Sequence, residues 1–368
     1  PLPTYLVAFI AGEFMVETAE RNGRVFRMFH RETDADKVAR NRDALFDLHA
    51  HALDYLETYT EIPYGFGKFD FVLIPAFQFG GMEHPGLIAY RGSRLFLDAS
   101  ATQDEVLARA SVIAHETAHM WFGDLVTMRW FDDVWMKEVF AALMASKIVR
   151  PSFPDVNHEL RFLLANYPSA YAVDRTPGAN PIRQPLGNLK DAGSLYGSII
   201  YRKAPIVLRH LEALLGEASF RDGVRDYLSA HRFGNASWTD LISVLDRRTP
   251  VDLAEWSRVW VDAPGRPSIE TELDVRGGSI DRLAFRQSDP FARGLTWPQE
   301  LHVLVGTTSG HEKHVVRMSG PLAEVRGMAG KPAPGFVLPG GDGWAYGAFD
   351  LDEASLRYLV ANVEKIAD

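Results

Sequence analysis

The chain has no cysteine in its 368 residues. Disulfides and thiolate ligands are excluded, so a metal could be held only by histidine and carboxylate. No apolar run approaches the length of a membrane span. No basic block is present either. The net charge is −9 with both signs interspersed, which points away from nucleic acid and from an anionic membrane. Internal repeats and low-complexity segments are also missing. No secretory leader is readable at Pro1-Leu2, and without an initiating Met that start is no guide to compartment. The working assignment is cytoplasmic, with secretion the alternative. What is present is ordinary for a globular protein, 46% apolar and 24% charged, in a chain long enough for two or three domains.

One stretch organises the rest. His115-Glu116-Thr117-Ala118-His119 lies in an apolar helical context, and Trp135-Met136-Lys137-Glu138 opens a second helical run. Four residues apart on a helix, His115 and His119 stand one turn above the other on the same face, so both imidazoles reach one ion. Glu116 lies about 100° further round, beside the metal rather than on it, where a base acting on a metal-bound water belongs. Glu138 is positioned to supply a third, carboxylate ligand. Two His and one Glu leave a tetrahedral position open, the catalytic pattern for zinc; a structural site would be closed. The competing reading makes the histidines core residues and Glu116 a solvated one. It would turn three unpaired polar groups into the apolar helix around Ser111-Val112-Ile113-Ala114, at a cost.

The rest of the chain frames that stretch. Pro1 to about His30 reads as a β-hairpin, with Tyr5–Ile10 as a buried strand and Asn22-Gly23 as the turn. A capped helix follows from Thr33-Asp34 to about Tyr59; His49 and His51 on it share no face and read as structural or surface residues. Phe69–Ile74, Leu87–Tyr90 and Arg94–Leu97 read as strands. Between the first two, Gly80-Gly81 before Met82 and Glu83 lets the backbone come close to a neighbour or a ligand, in a bulged edge strand able to pair with an extended peptide. Thr102-Gln103-Asp104-Glu105 is a capping box opening the helix that carries His115. Trp121, Trp130, Phe131 and Trp135 read as core aromatics, and Asp124 as a loop carboxylate or a hydrogen-bonding partner of a ligand His. Helices are expected from Asp155 to Tyr167, from Gly193 to Gly216, and over about 218–231, 238–248 and 253–261. After Pro267 the texture becomes all-β, with Gly277-Gly278 as a turn and a short helix from Glu353 to Ile366.

Taken in order, Gly80-Gly81-Met82-Glu83, the His-Glu-x-x-His segment with Glu138, and Tyr201-Arg202-Lys203 resemble the aminopeptidase N family of zinc peptidases, gluzincins that include the leukotriene hydrolases. Ile113 to Thr127 follows the family pattern along its whole length, and the resemblance covers roughly residues 4 to 267. It implies an α+β fold. Residues 1–266 would form a thermolysin-like catalytic domain of mixed sheet and helices, and 267–368 a small β-sandwich with a C-terminal helix. It implies that His115, His119 and Glu138 bind one Zn2+ and that Glu116 is the general base. Glu83 would hold the substrate's α-ammonium, Gly80 and Gly81 would align the peptide, and Met82, with Gln78 and Phe79, would line the first subsite. Tyr201 would steady the tetrahedral intermediate, with Tyr196 the runner-up. Two positions depart from the pattern: His84-Pro85 stands where the family has Asn after the Glu, and Ala204 where it has Gly.

The implied function is a zinc-dependent aminopeptidase acting on the N-terminal bond of peptides. Zinc would lower the pKa of water from about 15.7 towards 7 and polarise the carbonyl. Glu116 would move the proton to the leaving amine, and Glu83 would exclude blocked N-termini. The expected partners are peptides with a free N-terminus, not nucleic acid or membrane. Family members carry an N-terminal β domain ahead of the catalytic one, so a separate N-terminal piece of the same polypeptide is expected as well. The alternatives are a gluzincin endopeptidase, an epoxide hydrolase, or an inactive scaffold. Glu83 and the Gly-Gly pair favour the aminopeptidase, and an inactive relative would be expected to have lost a ligand or the base.

Overall fold

A computed structural model describes residues 2–366; Pro1 of the expected hairpin and domain, and the last two residues of the expected β module, lie outside them. The chain falls into two compact units. One comprises the chain up to Val156 with Pro185–Tyr196 and Leu211–Val251; the other comprises Asn157–Gln184, Gly197–His210 and the chain from Asp252 onward.

The first unit begins with strands β1 (Met15–Arg21) and β2 (Arg24–His30), paired antiparallel through Asn22 and Gly23, both at positive φ. Two such residues make the turn whose twist matches that of the flanking strands. The hairpin is where its turn signal put it, but the expected first strand is not. Thr4–Leu6 is a 3-10 turn, and Val7 and Phe9 are 74% and 89% exposed. The turn fixes the register, and Met15–Arg21 takes the pairing, so the apolar run ahead of it is left without a ladder.

Helix α1 (Ala35–Thr60) crosses over to β3 (Phe69–Ile74), parallel to β2, and β3 pairs parallel with β5 (Leu87–Arg91). The two-residue strand β4 (Gly81–Met82) pairs antiparallel with β5 and forms the sheet's edge, in the order β1-β2-β3-β5-β4. Arg94–Leu97 is no strand: Gly92–Leu95 is the short helix α2, closed by Phe96 N–H donating to the Gly92 carbonyl.

Helix α3 (Gln103–Ala118) opens on a complete capping box. Thr102 Oγ1 accepts from Glu105 N–H at 3.3 Å, and Glu105 Oε2 accepts from Thr102 N–H at 2.8 Å. After α3 come the short strand β6 (Val126–Met128) and helix α4 (Val134–Val149), which packs along α3 and is buried over most of its surface. An apolar helix of this kind belongs inside a domain, so the charged residues it carries must find partners there.

The second unit contains the helix His158–Asp174, the π-helical turn Ile199–Lys203 and the helix Leu253–Trp260. The helix expected from Gly193 to Gly216 forms over Ala204–Leu215; ahead of it stand a 3-10 segment, Leu189–Ser194, a break, and then the π turn. Gly193 and Gly197 weaken helix over that stretch. From Ser268 on, two sheets share one core. Ser268–Arg276, Ser279–Ser288, Leu322–Glu324 and Ala348–Asp350 form a four-stranded sheet; Gln299–Thr307, Gly310–Met318 and Phe336–Leu338 form a three-stranded one. Ile269, Leu283 and Phe285 of the first and Leu301, Val303 and Val316 of the second are buried together.

Candidate metal centre and active site

Within the first unit, α3 and α4 bring three of the sequence-selected side chains to one point. His115 Nε2 lies 3.2 Å from His119 Nε2 and 3.5 Å from Glu138 Oε2, and His119 Nε2 lies 3.9 Å from the same oxygen. A tetrahedral ion with bonds of about 2.0–2.2 Å spans donor pairs roughly 3.3–3.6 Å apart, so this His2Glu set fits zinc. His119 is fixed from behind. Its Nδ1–H donates to the Phe122 carbonyl at 3.0 Å, which leaves the Nε2 lone pair facing the site. Burial pushes His119 down to about 4, which keeps it in the neutral form a metal requires.

A second potential donor group, Glu83 with Glu116 and His119, lies beside the first. Glu83 is already engaged: Lys137 Nζ donates to Glu83 Oε1 at 2.6 Å and to Glu138 Oε1 at 2.7 Å. The His2Glu set is therefore the better ion site, and Lys137 orients its carboxylate. Burial alone would raise Glu83, but Lys137 and then His119 outweigh it and hold the carboxyl at about 2. Burial likewise opposes the Lys137 charge, and Glu138 and Glu83 together overcome that opposition.

Glu116 is buried beside these groups. Burial first, with Glu83 and Glu138 adding, pushes its carboxyl up to about 8. The backbone of β4 runs against it. A Cβ on Gly81 would lie 2.5 Å from Glu116 Cδ and Cγ, so a side chain there is incompatible with Glu116 as placed. Arg91 pins the loop that leads in, donating from Nε to the Phe77 carbonyl at 2.8 Å and from Nη2 to the Gln78 carbonyl at 2.7 Å. Gly80, Gly81, Met82 and Glu83 thus lie on or next to an edge strand close to the His2Glu set, while Phe79 is exposed.

Tyr201 stands in the other unit, on the π-helical turn, 40% exposed. Tyr196 closes a segment of the first unit, where burial raises its phenol and the charges of Lys137, Glu138 and Glu83 act on it. His84 does not bond Glu83; its Nδ1–H donates to the Leu6 carbonyl at 3.2 Å. Asp124 is not a solvated loop carboxylate, nor does it hold His119. It is buried, neither oxygen has a hydrogen-bond partner among the described residues, and burial followed by Glu83 keeps its carboxyl well above the usual range.

Sequence reasoning passed over Lys137, Arg91 and Tyr5, whose ring lies 5.7 Å from Lys137 Nζ. A lysine within Trp135-Met136-Lys137-Glu138, on a helix this apolar, was the available signal for the first of them.

A family model described as "Peptidase family M1 domain" matches residues 45–260. The chain is 31% identical over 98% of its length to "Aminopeptidase N" of Streptomyces lividans, of which it covers 44%. It is 37% identical over 62% of its length to "Probable aminopeptidase 1" of Sulfurisphaera tokodaii (29% of that protein), and 34% identical over 73% to "Aminopeptidase N" of Lactobacillus helveticus (32% of that protein). The chain therefore spans less than half the length of these relatives.

Proposed function

Since this chain belongs to peptidase family M1, we propose that it is the catalytic part of a zinc-dependent aminopeptidase that removes N-terminal residues from peptides. The observation that carries the reading is the buried cluster in which His115, His119 and Glu138 converge while Glu116 and Glu83 stand beside them. In this reading residues 1–266 are a thermolysin-like catalytic domain and 267–368 a β-sandwich. The two sheets that begin at Ser268 support that boundary. The relatives' printed names support the exopeptidase class.

His115, His119 and Glu138 would hold the zinc. When bound, zinc would supply Lewis acidity towards water and the scissile carbonyl, and a positive charge that lowers the pKa of Glu116. Glu116 takes the proton from water and returns it to the leaving amine. Gly80 and Gly81 present edge backbone to an extended peptide. Glu83 would attract the substrate's ammonium and so select the first peptide bond for the His115–His119–Glu138 set. A phenol donates to the developing oxyanion, a contribution on the order of 3 kcal/mol in comparable sites. We assign it to Tyr201, on a π turn of the kind often found at functional sites. Tyr196 is the alternative, because its phenol lies in the field of Lys137 and Glu138.

Turnover of leucine p-nitroanilide, its loss to a chelator and its return with zinc test the reaction class. Glu116→Gln should retain zinc and lose roughly 100- to 10,000-fold in kcat. Tyr201→Phe, compared with Tyr196→Phe, identifies the phenol. Equal turnover of free and N-acetylated peptides would contradict the exopeptidase reading.

A further inference from the structure

The proposed reaction needs Glu83 to receive an ammonium, yet Glu83 already holds one. Resting on that reading for the identity of the ligand, we propose that Lys137 is a built-in competitor for the substrate's α-ammonium, and that it sets how strongly this site demands a free N-terminus.

The geometry is that of a substituted ligand. Lys137 Nζ is 2.6 Å from Glu83 Oε1 and 2.7 Å from Glu138 Oε1, and all three side chains are buried. A lysine ammonium and a peptide's N-terminal ammonium are the same functional group, so each makes the same charge-assisted bonds to a carboxylate. One Glu83 oxygen is thus occupied by the protein itself. A substrate amine must share Glu83 through the other oxygen or displace Lys137. Sharing would place two like charges within a few ångströms in a poorly solvated site, where repulsion is weakly screened, so the amine takes Glu83 by displacing Lys137.

Lys137 is also closely packed. Gly123, at φ +133°, approaches so near that a Cβ there would lie 3.3 Å from Lys137 Cβ and Cδ, and the Tyr5 ring lies 5.7 Å from Nζ. Two carboxylates facing one ammonium leave the trio with a single net negative charge. Glu138 directs its remaining oxygen at His115 and His119. Glu83 is therefore a half-satisfied anchor, and Lys137 is the specificity-determining residue that makes it so.

The test is calorimetric binding of L-leucinamide, a free-amine probe, and of N-acetyl-L-leucinamide to the zinc-loaded chain. Lys137→Gln keeps a hydrogen-bond donor and removes the charge; Lys137→Met keeps the length without either. Either variant should bind L-leucinamide tighter by on the order of 10-fold or more, with N-acetyl-L-leucinamide unchanged. The gain should vanish in Glu83→Gln/Lys137→Gln. Equal or weaker L-leucinamide binding by the folded, zinc-loaded variants overturns the proposal, as does an equal gain for the acetylated probe.

Should both variants fail to fold, a crystal of the parent soaked in L-leucinamide decides. An amine on Glu83 with Lys137 Nζ moved away supports the competition; an amine bound elsewhere, or on Glu83 with the lysine contact intact, overturns it. Absence of turnover on any peptide would end the aminopeptidase reading but leave the binding comparison standing, so the two failures are distinguishable.

Discussion

Gly81 and Glu116 show how one missing side chain can hold a candidate base in place. A methyl at 81 would sit within 2.5 Å of the Glu116 side chain, and Glu116 is buried, so it could yield only by leaving its present position. Gly81→Ala is expected to retain zinc and to lower kcat by roughly 100-fold, the cost of about 1 Å of misplacement at a reacting group. Metal content and kcat measured together would check it. His49 is a residue-scale contrast, a histidine with a purely structural setting. It stacks on Phe71 with ring centroids 4.0 Å apart, donates from Nδ1 to the Leu45 carbonyl at 2.7 Å, and accepts at Nε2 from the Tyr90 hydroxyl at 3.1 Å. Burial pushes it down to about 4. Between pH 6.5 and 4 the unfolded chain binds a proton at His49 that the folded chain refuses, so stability falls as pH falls through that window. The lost stability is about 3 kcal/mol. Denaturant titrations should find the acid limb of His49→Gln shallower than the parent's by about that amount.

At the scale of elements, what the sequence disclosed depended on whether the determining contacts were local. The Thr102–Glu105 capping box, the Asn22-Gly23 turn and the strand Phe69–Ile74 are set by neighbours in sequence, and all three were readable. The His2Glu spacing was readable because helical periodicity alone brings two of its members together. The strand expected at Tyr5–Ile10 failed because pairing is a long-range choice that an apolar run does not make by itself. The tie between Lys137 and Glu83 was invisible because its partners are 54 residues apart. The same is true of Lys203, which motif matching passes over in favour of Tyr201. In the second unit Lys203 Nζ lies 2.8 Å from Asp174 Oδ2 and donates to the Gly265 carbonyl at 2.7 Å, while Asp174 also accepts from Gly265 N–H and the Tyr346 hydroxyl. This network ties the π turn to the end of the helix His158–Asp174 and to the segment entering the β module. Asp174→Ala would strand a buried ammonium and should cost about 3–5 kcal/mol, whereas Asp174→Ala with Lys203→Met should cost less. Chemical denaturation of the single and double variants gives the comparison.

For the whole molecule, metal binding and stability should be one quantity measured two ways. The His2Glu donors come from two helices of the first unit, α3 and α4, and an ion joining them binds the folded chain in preference to the unfolded one. Free zinc at 100 times its dissociation constant should therefore add about 2.7 kcal/mol of stability. Glu138→Gln should remove most of that increment while leaving the stability of the metal-free protein less affected. The increment also carries a pH signature. Burial opposes a charge on His115, but Glu138 and Glu116 outweigh it and raise its pKa above the ordinary value, and any proton the ring carries must leave before zinc binds. Lowering the pH makes that displacement harder, so the zinc-dependent rise in melting temperature should shrink as pH falls through neutrality and below. Calorimetry in buffers of different ionisation enthalpy should register proton release on zinc binding that grows as the pH is lowered. A zinc increment independent of pH from 8 to 6 would mean that the ion is held by groups other than His115.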